Sequence, residues 1–112
     1  MPSEPLILRD EVSPTDRRHL SVTLRDTGAL RVEGHDLGDG VERAIGKGIR
    51  EYEWMTEVEA ADLPKLADAL GGDPGADILD VIRRTCQADP AHLELTIRAA
   101  GIKPKFWSRF GD

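Results

Sequence analysis

The chain holds one cysteine, Cys86, in 112 residues, so no internal disulfide can form and a reducing compartment is expected. Aromatic residues are scarce too: two Phe, two Trp and one Tyr. No apolar run approaches the ~18 residues that suggest a membrane span. The segment from Met1 to Asp10 has only Leu6-Ile7-Leu8 as an apolar stretch, set among Glu4, Arg9 and Asp10. It lacks the basic start and the ~7–15-residue apolar core of a secretory signal. A cytoplasmic protein with no membrane contact is therefore expected. Basic residues are outnumbered by acidic ones, 15 to 21, for a net charge of −6. Nucleic-acid binders draw affinity from a basic face, so that role is not expected.

The patterns of catalysis are equally thin. His19, His35 and His92 lie in three separate segments, and no Gly-x-Ser-x-Gly elbow is present. Cys86 falls on the apolar stripe of a predicted helix, the usual place for an inert thiol. Gly40 to Gly48 fails as a phosphate loop, because five residues separate Gly40 from Gly46 and Gly48 follows Lys47. Gly71-Gly72-Asp73-Pro74-Gly75 occurs once and carries Pro74 where a calcium-binding repeat takes glycine. With 21 acidic residues, carboxylate pairs are expected by chance. No catalytic residue, cofactor or metal is assigned, and a non-enzymatic role is favoured.

What is present points to one α+β domain over residues 1–112. Leu20, Val22 and Leu24 alternate with polar residues, as do Leu30 and Val32, and Asp26-Thr27-Gly28 lies between them. That is a hairpin signature. Leu6–Leu8 adds a candidate edge strand, with Pro14 in the loop that follows. Residues 34–48 are glycine-rich, either a long connection or a hairpin with a short strand around Val41–Ile45. Three helices are then expected. Asp62-Leu63-Pro64, Asp73-Pro74 and Asp89-Pro90 each set a capping carboxylate before an early proline. Leu63, Leu66 and Leu70, then Ile78, Leu79 and Ile82, then Leu93, Ile97 and Ala100 follow at helical spacing. After Gly101 the period returns to two. The expected fold is an antiparallel sheet of about four to five strands with three short helices on one face. Its C-terminal strand returns to the sheet, and Pro104 belongs at that strand's start.

The clearest pattern lies at residues 49–59. Glu51, Glu53, Glu57 and Glu59 share one parity, and Tyr52, Trp54, Thr56 and Val58 share the other. A strand sends these sets to opposite faces. Residues 51–80 carry one basic and nine acidic side chains. The glutamate row reads as a docking face for a basic protein, as in an immunity protein that neutralises a toxin. It also reads as a solvated face, or as one neutralised by Lys103, Lys105 and Arg109 on a neighbouring final strand. The docking reading requires the four glutamates to be exposed and unpaired. Trp107 lies on the parity of those cations and is a candidate interface anchor. His35, Asp36, Asp39 and Glu42 form the alternative site, for a small ligand or metal, although a single His and no Cys is a poor metal set. A homo-oligomer using the sheet edge or Trp107 is a third option, so the chain is expected to be a monomer or a homodimer.

Val32-Glu33-Gly34-His35-Asp36-Leu37-Gly38, Glu51-Tyr52-Glu53-Trp54, Asp62-Leu63-Pro64 and the ending Phe106-Trp107-Ser108-Arg109-Phe110-Gly111-Asp112 resemble a family of small proteins from high-GC actinobacteria. The resemblance spans about residue 29 to the end. That family has no known activity, so the resemblance implies a compact cytosolic domain and no catalytic residue.

Overall fold

Alternating apolar side chains give a sheet only if their common face is covered, and here helices cover it. The computed structural model describes residues 3–73 and 75–112. Strands β1 (Leu6–Val12), β2 (Asp16–Leu24) and β3 (Leu30–Gly38) are followed by helix α1 (Asp39–Ile45) and strand β4 (Glu51–Val58). A 3-10 turn at Ala60–Asp62 leads into helices α2 (Leu63–Ala69), α3 (Ile78–Cys86) and α4 (Ala91–Ala99), and strand β5 (Lys105–Gly111) completes the chain. The strands lie in sequence order, each antiparallel to the next. The C-terminal strand returns to the sheet beside β4, as the sequence predicts.

The register explains the core. Val22 opposes Val32, which opposes Thr56, and Leu24 opposes Leu30, which opposes Val58. Side chains that oppose one another share a face, so these residues make one apolar surface. Leu66, Val81, Ile82, Leu93 and Ile97 of α2, α3 and α4 close onto it, each 1% exposed or less. Burying each such side chain contributes about 1.5–3 kcal/mol at most. Cys86 lies in this cluster, and burial pushes its thiol up despite a hydrogen bond shared with the Thr85 hydroxyl. It is a packing residue.

Two expectations are corrected. The glycine-rich stretch is neither an open connection nor a hairpin: Gly34 and Gly38 belong to β3, and residues 39–45 form α1, a fourth helix. Its cap comes from a distance, because Asp16 Oδ1 accepts the Gly40 N–H at 2.6 Å. The three aspartates expected to cap α2 to α4 do not do so through their side chains. Asp62 sits in the αR region inside the 3-10 turn, α3 starts after Asp77 rather than Asp73, and Pro90 takes the cap position of α4. Pro74 lies outside the described residues. No helix among the described residues is long and apolar enough to cross a membrane.

Candidate functional site

The glutamates lie on the sheet face opposite the helices. There β4 has a basic or imidazole neighbour on each side: Glu53 opposes His35 of β3 and Arg109 of β5, while Glu57 opposes Arg31 and Lys105. His35 Nε2 lies 2.7 Å from Glu51 Oε2, and Arg109 Nη2 lies 3.5 Å from Glu51 Oε1. Arg109 also donates to Glu53. Glu57 Oε1 accepts from Arg25 at 2.9 Å and from Arg31 Nε at 3.2 Å. The Arg109 hydrogen bond holds the Glu53 carboxyl below its ordinary range. Burial pushes Glu57 up, but the bonds from Arg25 and Arg31 outweigh it and leave that carboxyl lowered. Glu53 and Glu57 are held ionised by arginine, which suits a structural ion-pair network better than a general base. Glu59 lies past the end of β4 and is exposed. Among the described residues, Glu59 is the exposed member of the row without a side-chain partner, while Glu51, Glu53 and Glu57 are paired within the chain.

The ligand cluster read from the sequence is not assembled. His35 and Asp36 are successive strand residues and point to opposite faces. Asp39 pairs with Arg50 at 2.8 Å, and Glu42 accepts the Gly48 N–H at 2.9 Å. His35 instead meets Glu51 and Glu53, with ligand-type atoms of all three within 4.8 Å of one another. Sequence spacing conceals this trio, since it forms across strands. Arg109 already occupies both of its carboxylates.

Asp36 takes a different role. It lines a cleft of about 660 Å³ beneath α1, with Arg18, Tyr52, Val41 and Ile45. Asp36 Oδ2 is 3.5 Å from Arg18 Nε, while Oδ1 is buried and accepts no hydrogen bond among the described residues. Burial pushes its carboxyl above the ordinary value of 3.8, and Arg18 and Arg9 only partly oppose this. The fold thus favours the neutral form. Asp36 is harmless below its unfolded value, and it costs stability increasingly as pH rises through its higher folded value. Asp36→Asn is expected to stabilise the protein at pH 7, by up to about 1 kcal/mol once solvent screening of this part-exposed pair is allowed for. The gain should vanish below pH 3.8. Urea titrations at pH 3 and pH 7 check this, and an equal gain at both would place the effect outside the Asp36 ionisation.

The remaining feature is the outer edge of the sheet. Among the described residues, β5 has one strand neighbour, and Lys105 to Phe110 are all exposed. Three of the chain's five aromatics are here: Phe106 is 56% exposed, Trp107 48% and Phe110 51%. Phe106 and Phe110 share the helix-covered face with Trp54, yet the helices stop short of them. Trp54 stacks on Tyr52 at 5.0 Å and Tyr52 on Phe110 at 4.9 Å, so a row of rings runs outward and ends in solvent. Trp54 anchors the inner end by donating its indole N–H to Glu94 at 2.9 Å. The opposite edge, β1, is blunted by an irregular register between Ile7 and Arg9 and by the run Arg9-Asp10-Glu11. No protein-family model, curated protein or solved structure matches this chain.

Proposed function

We propose that this chain is a non-catalytic interaction domain of the cytoplasm that binds protein through the free edge of β5. The observation that carries the reading is the exposure of Phe106, Trp107 and Phe110 on the edge strand of the sheet. An edge strand offers main-chain hydrogen bonds for affinity and side chains on both faces for selectivity. Exposed aromatics next to a guanidinium are favoured anchors of such contacts.

Docking of a basic protein on the glutamate row is the competing reading. A basic partner there has to displace Arg109, Arg25 and Arg31 from carboxylates they already hold, which leaves Glu59 and the net negative charge as its support. Affinity capture from the native host separates the two. The bait is the wild-type chain, a Phe106→Lys/Trp107→Glu variant, or a variant with Glu51, Glu53, Glu57 and Glu59 changed to glutamine, each checked for fold by circular dichroism. Loss of a partner by at least about tenfold in the edge variant alone is expected, the scale of one anchor residue. Loss confined to the glutamine variant assigns binding to the row and removes the edge reading.

A further inference from the structure

Among the partners an exposed strand can take, a second copy of itself is tested by its own sequence. Two β5 strands paired antiparallel about a two-fold axis normal to the sheet keep each face continuous, so only residues of equal parity can oppose one another. Three registers use most of the strand. Centred on Trp107, the pairing sets Lys105 opposite Arg109 twice. Centred on Arg109, it sets two guanidiniums opposite each other. Like charges directly opposed are unfavourable. Centred on Ser108, it has no like-charge pair. Phe106 then opposes Phe110, Trp107 opposes Arg109, and Lys105 opposes Gly111.

We propose that the β5 edge pairs with β5 of a second copy, antiparallel and centred on Ser108, to give one continuous sheet of two chains. The proposal rests on the edge reading above and names its occupant. On the helix side, Phe106 of the second copy meets Phe110 where the row Trp54–Tyr52–Phe110 now ends, so the rings continue across the axis. On the open side, Trp107 lies beside an Arg109 whose guanidinium Glu51 and Glu53 already fix, which favours cation–π contact. Phe106 and Phe110 are half-exposed and so have apolar surface left to bury against the neighbouring strand. The other edge, with its register shift and charges, offers no such match.

The first measurement is sedimentation of the wild-type chain from low micromolar to about 1 mM, where a contact of modest size is expected to show a concentration-dependent dimer. The second is oxidation of Ser108→Cys, Trp107→Cys and Arg109→Cys variants, with Cys86 left buried in the core. In the proposed register Ser108 opposes itself, whereas Trp107 and Arg109 sit roughly 7–8 Å from their own copies on the diagonal, beyond disulfide reach. Ser108→Cys is expected to form a disulfide dimer at least about tenfold faster than the other two. A wild-type chain that stays monomeric at about 1 mM overturns self-pairing. If that monomer still loses a captured partner in the Phe106→Lys/Trp107→Glu variant, the edge reading stands without it. A dimer whose disulfide forms as fast or faster at another position overturns the Ser108 register.

Discussion

Gly38→Ala is expected to destabilise the protein by about 3–5 kcal/mol, the sum of backbone strain and overpacking. Gly38 joins β3 to α1 with φ 114° and ψ −157°, a region that L side chains rarely adopt. A Cβ there meets the Thr15 carbonyl oxygen at 2.0 Å and Asp16 Cα at 2.9 Å. Both obstacles are backbone, so no rotamer relieves them. Relief requires the start of β2 to move off α1. That motion breaks the Asp39 N–H bond to Thr15 at 3.3 Å and the Asp16 cap on Gly40. The cleft above Asp36 then loses its roof. Gly48→Ala is the control, since Gly48 has φ 88° with nothing within 4 Å. It should lose only the strain, about 1 kcal/mol. Urea titrations of the two variants measure the difference. Equal losses would show that the Thr15 contact relaxes freely.

The second large effect is expected at Gly34→Ala, a loss of about 2–3 kcal/mol from overpacking. Here the reason is proximity. Gly34 opposes Trp54, and the indole lies across it so closely that a Cβ would fall 2.1 Å from a ring carbon. The ring has few places to go, being stacked on Tyr52 and hydrogen-bonded to Glu94. Displacing it disturbs the whole row out to Phe110. In a Trp107→Phe background, Trp54 is the remaining tryptophan, and its fluorescence should shift in Gly34→Ala as the melting temperature falls. An unchanged emission with unchanged stability would mean that the indole is not held against β3.

Much of the fold is readable in the chain because its signals are local. The alternation of Glu51 to Val58 needs no partner to declare a strand, and Leu66, Ile82 and Leu93 mark their helices by spacing alone. α1 escapes because its cap, Asp16, lies 24 residues before Gly40, and no local pattern contains it. The expected pairing of His35 with Asp36 fails by the same two-residue period that identifies strands, once β3 is seen to run to Gly38. Phe106 and Phe110 have the parity of core residues, but whether a helix reaches them depends on where α2 to α4 pack. The glutamate row is readable as a pattern and misleading as a surface: the arginines that fill it come from β2–β3 and from β5, at sequence separations of 26 to 58 residues.

The place of the helices also sets an order of assembly. β1 to β4 join through short connections, whereas β5 pairs with β4 across the long intervening segment from Glu59 to Pro104. Contacts across such a span form late, because loop closure must come first. In the interval β4 is itself the outer strand, and Arg109 has not yet reached Glu51 and Glu53. Carboxylates spaced along a bare edge repel a second such edge, a natural guard against premature pairing between chains. The side chains that the finished sheet neutralises through Arg109 are thus the ones that keep the unfinished edge apart.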